Sequence, residues 1–178
     1  MNVNCMRLGL VMLLGITPIW IGAHEIDTDD LPPAVLSAVE GACPDGTIEE
    51  ILKEKCDDVM VYEVEMKLGR MGCDLKIASD GTLLEKEQQI APKELPKKVK
   101  ATLAKFKELK IRKAERVKEK DEGVFFELDV VLGEQVFELK ITKKGMITEI
   151  EFKGSKHADG DDDDDADDDD GDDDDNDD

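Results

Sequence analysis

The sequence predicts an α+β fold: two tandem helix-plus-antiparallel-meander repeats, helices packed on one face of the sheets, with a disordered acidic tail behind them. Three observations predict it. The chain matches itself without a gap at an offset of 64 residues, 31–87 onto 95–151. Several stretches alternate apolar and polar residues with period two, as a strand does when one face lies on a core and the other in water. The C-terminus is almost pure aspartate, which has no apolar surface to bury and repels itself.

Both ends are set aside before a core is sought. Arg7, the apolar run from Leu8 to Ile21 and the small residues Gly22-Ala23 read as a secretory signal peptide over residues 1–23. The apolar run is shorter than the roughly 20 residues a spanning helix needs, so no membrane insertion is expected after cleavage. No cysteine sits at the cleavage point to carry a lipid. At the other end, residues 155–178 form the tail. The chain carries a net charge of −21, and 16 aspartates lie in 159–178, so the remainder is only mildly acidic, near −5. A chain without a basic surface is a poor nucleic-acid binder.

The expected repeats occupy 31–88 and 95–153. Identical pairs run from Leu31/Leu95 and Pro32/Pro96 through Leu68/Leu132 and Gly69/Gly133 to Glu85/Glu149 and Glu87/Glu151. A helix opens at each Pro, because proline suits the first helical turn. Val35, Val39 and Ala42 recur at helical spacing, as do Val99, Leu103 and Phe106. Pro44-Asp45-Gly46 ends the first helix. The stretches 48–55 and 111–118 read as weakly patterned strands, with helix extension open for the second.

The next strands are clearer. Met60, Tyr62, Val64, Met66 and Leu68 alternate with Val61, Glu63, Glu65 and Lys67; Val124, Phe126, Leu128, Val130 and Leu132 do the same. Gly69-Arg70 and Gly133-Glu134 suit two-residue hairpins with glycine first. Returning strands carry Cys73, Leu75 and Ile77, or Phe137, Leu139 and Ile141. Turns at Ser79-Asp80-Gly81 and Lys143-Lys144-Gly145 lead to a last strand in each copy.

These residues carry a resemblance. Leu-Pro before an amphipathic helix, then Val61-Tyr62-Glu63-Val64-Glu65, Asp74-Leu75-Lys76-Ile77 and Asp80-Gly81, resembles the PepSY-like family. The second copy answers with Phe125-Phe126-Glu127-Leu128, Glu138-Leu139-Lys140-Ile141 and Gly145. Tandem copies are similar to periplasmic PepSY-like proteins with a β-lactamase-inhibitor-like fold. The resemblance implies an exported binding module that engages a protein or peptide, with peptidases among the partners. The hairpins at Gly69 and Gly133 are too tight to be inserted inhibitory loops, so no inhibitory residue is carried over. Fold alone does not give function.

Catalytic chemistry is sought and not found. The histidines are His24 and His157, both outside the expected repeats, so Ser-His and Cys-His pairs lack a base. No zinc spacing or phosphate loop is present, and no cofactor is expected. Glu63, Glu65, Glu127 and Asp129 read as the solvated face of amphipathic strands rather than as paired catalytic carboxylates.

Of the cysteines left after signal cleavage, Cys43 ends the first helix and Cys73 begins a strand at the same end of the unit, while Cys56 falls at the opposite end. The reading is a Cys43–Cys73 disulfide or a buried Cys73 thiol. The tail offers a second functional reading. Asp161, Asp162, Asp163, Asp164, Asp165, Asp167, Asp168, Asp169, Asp170, Asp172, Asp173, Asp174 and Asp175 supply hard oxygen ligands suited to weak, multi-site Ca²⁺ binding. Against it stands a plain solubilising bristle.

Overall fold

The structure, a computed structural model, describes residues 24–56 and 58–155. The expected signal peptide and all the tail aspartates lie outside the described residues.

The elements are β1 (His24–Glu25), α1 (Pro33–Ala42), β2 (Thr47–Cys56), β3 (Val59–Leu68), β4 (Met71–Ala78), β5 (Leu83–Gln89), α2 (Lys97–Leu103), β6 (Lys110–Glu119), β7 (Gly123–Leu132), β8 (Gln135–Thr142) and β9 (Ile147–Ser155). All nine strands join one antiparallel sheet in chain order.

Two helix-plus-meander repeats with sheets of their own are therefore not what forms. The expectation fails at the seam between β5 and β6, which pair from Glu85↔Glu119 to Gln89↔Glu115. Ile90 N–H donates to Ala114 O at 2.9 Å, and Lys120 N–H to Leu84 O at 2.8 Å, extending the ladder at both ends. The physical reason is backbone satisfaction. Two separate sheets would each leave an edge of unpaired N–H and C=O groups in the middle of the molecule, and pairing them removes both edges. Helix extension over 111–118 is excluded for the same reason: that stretch is β6. The helices are minor elements, of ten and seven residues.

α2 is the shorter. Its run of lysines places like charges three residues apart, as at Lys97 and Lys100, and these weaken a helix. Phe106, expected on the helix's buried stripe, lies beyond its end and is exposed.

The helices lie on one face of the sheet, each over its own apolar cluster. Val35 and Val39 of α1 pack with Ile51, Tyr62, Val64, Leu75 and Ile77 of the sheet. Val99 and Leu103 of α2 pack with Ala114, Phe126, Leu128, Leu139 and Ile141. Each such aliphatic side chain contributes about 1.5–3 kcal/mol when fully buried. Gly81 and Gly145 set how close the helices come. Both have positive φ (85° and 82°), and a Cβ would meet Ala34 O at 2.7 Å or Lys98 O at 2.5 Å. Thr102 Oγ1 donates to Gly145 O at 2.7 Å, fastening α2 to that turn.

Pairing register passes over Leu84 in β5 and over Thr148 and Lys153 in β9, leaving Glu149–Phe152 as a regular stretch.

Candidate functional site

Strand alternation assigns the face opposite the helices residue by residue. Against the apolar set of the helix side, β3 presents Glu63, Glu65 and Lys67 there, β4 Asp74 and Lys76, and β5 Glu85 and Glu87. β6 adds Lys113 and Glu115, β7 Glu127 and Asp129, β8 Glu138 and Lys140, and β9 Glu149 and Glu151. This open face runs across both halves of the molecule.

Acidic residues outnumber basic ones on this face, and the lysines present are held in ion pairs. Lys76 Nζ lies 2.6 Å from Glu63, Lys113 2.9 Å from Glu115, and Lys153 3.3 Å from both Glu138 and Glu151. Lys140 sits 4.1 Å over the Phe125 ring and 2.7 Å from Glu122. Its stem thereby shields an aromatic ring that alternation turns away from the helix side. A depression of about 590 Å³ opens in this face, with Glu65, Asp74, Gln89, Arg112, Lys113 and Glu127 among its walls.

Near its middle the pairing breaks down. Asp74 stands directly across from Glu87, and Glu115 comes in from the next strand. Carboxylate oxygens of the three lie within 4.8 Å of one another. Burial, then Glu85, Glu127 and Glu115, pushes Glu87 up to about 9. Burial, then Glu115, raises Asp74 to about 6, with Lys113 opposing. Burial first, then Asp74, also raises Glu65. Like charges in a partly dry site cannot all ionise, so the group holds a proton at neutral pH. A hard cation is the other species such oxygens can take up, although Ca²⁺ demands six to eight ligands and three carboxylates supply only part of that set.

On the helix side the same seam forms a groove of about 450 Å³, lined by Ala38, Ala42, Leu83, Lys86, Arg116 and Lys118. Lys86 donates to Ala42 O at 2.7 Å. Burial, then Arg116 and Lys118, lowers its pKa.

The residues singled out in the sequence fall in different places. Glu63, Glu65, Glu127 and Asp129 all lie on the open face. Cys43 and Cys73 lie on the helix side, bridged to one another with their Cα atoms 7.4 Å apart. That bridge is remote in role from the open face. His24 is exposed on β1 and pairs only with Lys53 at the sheet edge. The Asp74–Glu87–Glu115 group was missed. Hairpin register would have set Asp74 beside Glu87, but Glu115 joins them only through the long-range seam.

No family model matches the chain, and no curated protein matches it in sequence. Solved structures do share its fold. A BLIP-like protein from Bacteroides fragilis superposes with a TM-score of 0.56 at 15% identity, over 74% of this chain and 90% of that one. A protein from Bacteroides eggerthii described as a candidate periplasmic protein gives 0.55 at 15% identity, over 68% and 88%. A DUF2874 family protein from Bacteroides ovatus gives 0.56 at 12%, over 71% and 89%. The fold is thus BLIP-like.

Proposed function

We propose that this chain is an exported, non-enzymatic binding module that engages a protein or peptide through the surface of its sheet. The observation that carries the reading is the open face: a depression of about 590 Å³ walled by side chains of both signs, on the face the helices leave uncovered. Mixed charge of this kind gives specificity and steering more than bulk affinity. Its working place is outside the cytoplasm, in the periplasm or beyond, in line with the signal-like N-terminus and the periplasmic description of the B. eggerthii neighbour. PepSY-like sequence features favour a peptidase as the partner class, held or restrained rather than processed.

The test is a pull-down from an envelope fraction with the full chain and with its Arg112→Glu/Lys113→Glu variant. A protein retained by the first and lost by the second supports the reading. Identical recoveries from the two would sink it.

A second reading assigns calcium uptake to the tail, favoured by the 16 aspartates of 159–178. Calcium titration of the full chain and of a chain ending at Ser155 separates the two; equal uptake removes the tail from consideration.

A further inference from the structure

β9 ends the sheet. Among the described residues no strand pairs with its outer side. The other end is built differently: β1 and the residue after it cover the middle of β2, from Lys53 to Ile51. Exposed edges are places where another chain can add a strand, and natural proteins blunt them with charge, bulges or cover.

Among the described residues, three of the five exposed large apolar side chains lie on or beside this strand: Met146 at 61%, Ile150 at 60% and Phe152 at 56%. Ile150 and Phe152 point to the helix side, where the Phe152 ring packs tilted against Phe137, centroids 5.6 Å apart. Between them, Glu149 and Glu151 point to the open face, Glu151 with Lys153 at 3.3 Å. These four residues form the regular stretch of β9, between the bulges at Thr148 and Lys153.

The molecule contains its own template for what happens at such a strand. In the 64-residue register, Glu149–Phe152 answers to residues 85–88 of β5. Just past its own bulge, that stretch takes an antiparallel neighbour, β6, beginning at Glu85↔Glu119. There the positions matching Ile150 and Phe152 are Lys86 and Gln88. The internal strand is polar where it is paired, and the terminal strand is apolar where it is unpaired.

We infer that β9 is a docking edge, and that its occupant is an extended segment of a partner protein in which basic and apolar residues alternate. The proposal rests on the binding-module reading and names the surface and the chemistry of the partner. Basic residues would stand opposite Glu149 and Glu151, and apolar ones would cover Ile150 and Phe152, as cross-strand pairing requires. Sixteen aspartates lie in the 23 residues after Ser155, so the chain leaving this edge attracts basic segments and repels acidic ones. A second copy is the wrong occupant. Antiparallel self-pairing would set Glu149 and Glu151 of one strand against the same acidic residues of the other.

The probe is a fluorescein-labelled heptapeptide of alternating lysine and valine. Its control is the block isomer, four lysines followed by three valines, which meets the tail with the same charge but cannot alternate. Fluorescence anisotropy with the full chain should show the alternating peptide binding at least tenfold tighter. The variant Ile150→Thr/Phe152→Thr, which changes no charge, should abolish that ratio and leave a weak, salt-sensitive residue of binding equal for both peptides. Hydrogen exchange provides a readout independent of the variant: the alternating peptide should slow amides in 149–152. Equal binding of the two peptides, a preference that survives the double variant, or unchanged exchange in β9 each overturns the assignment. If Arg112→Glu/Lys113→Glu removes the preference and the β9 variant does not, the open face is the docking surface; the edge assignment then fails while the binding-module reading stands. If the edge takes the peptide as described but the envelope pull-down recovers nothing sensitive to the open face, the edge stands and the open face is removed as the binding surface.

Discussion

The two halves of this molecule share a backbone plan and differ in almost everything laid on it. Residues 31–94 carry 7 basic and 14 acidic side chains, whereas 95–155 carry 15 basic and 11 acidic. The first half holds the Cys43–Cys73 bridge; the matching positions in the second are Lys107 and Phe137. Strand β5 is internal and polar, while β9 is terminal and apolar on its helix side. The difference teaches that position in the sheet, not the backbone plan, decides the chemistry each strand presents. A strand that must pair inside the molecule can tolerate like charges across the ladder, as at Lys86↔Lys118 and Glu85↔Glu119. Backbone hydrogen bonds hold such a seam against side-chain repulsion.

The comparison can be broken at its core first. Leu139→Ala, in the cluster under α2, should cost about 3 kcal/mol through lost burial and a residual cavity. Hydrogen exchange then tells whether the halves open separately. Acceleration confined to β6–β9 marks two cooperative units within one sheet; uniform acceleration marks a single one. Next is the bridge. Cys43→Ala/Cys73→Ala opens a 30-residue separation, and the loss should be about 3 kcal/mol by denaturant melting. The effect should fall on β2–β5, and an equal loss of protection in β8 and β9 would contradict the contrast drawn between the halves.

The seam yields the third prediction. Folded Glu87 keeps its proton up to about pH 9, against an ordinary 4.5, and Asp74 up to about 6, against 3.8. The folded state therefore binds more protons than the unfolded state across that window. The stability these two groups contribute is fully present below about pH 4 and is lost as pH rises toward 9. Glu87→Gln should flatten that fall, giving roughly 2 kcal/mol at pH 8 and nothing at pH 4. A wild-type melting temperature that does not change between pH 5 and 8.5 contradicts this account of the seam. The smallest effect is expected at Lys140, where the exposed pair with Glu122 and the stacking on Phe125 together contribute about 1 kcal/mol. Lys140→Ala is the check; a loss that persists in high salt belongs to the contact with Phe125, and near-neutrality there would assign the whole effect to the ion pair.

How much of this was legible in the sequence follows from the range of each interaction. The faces of β3, β4, β7 and β8 were legible because period-two alternation is local and strict. Hairpins at Gly69 and Gly133 fixed register over a few residues. The seam was not legible. β5 is Leu-Leu-Glu-Lys-Glu-Gln-Gln and β6 is lysine-rich, so neither has a clean apolar face to advertise a partner. Their pairing joins Leu84 to Lys120 across an intervening helix. The pattern therefore reads as two packed units with a sheet each, not as one continuous sheet. The end of α2 was misjudged for a related reason: Phe106 fits the apolar spacing, but the crowd of lysines stops the helix before it. Glu115 could not be placed with Asp74 and Glu87 until β5 and β6 were neighbours. The edge chemistry of β9 was present in the sequence as Ile150 and Phe152, which look like core residues until the strand is known to be the last.

The strand order carries one more consequence, a mechanical one. Because β1 through β9 lie side by side in chain order, the two ends of the described chain leave from opposite margins of the sheet. A pull on those ends loads the outermost strand at each margin, and its ladder bonds rupture one after another rather than together. The sheet resists such a pull like a zip fastener and not like a rivet line. A translocase or processive protease drawing on the Ser155 end would meet low, stepwise resistance, β9 first, until it reached the stretch closed by Cys43 and Cys73.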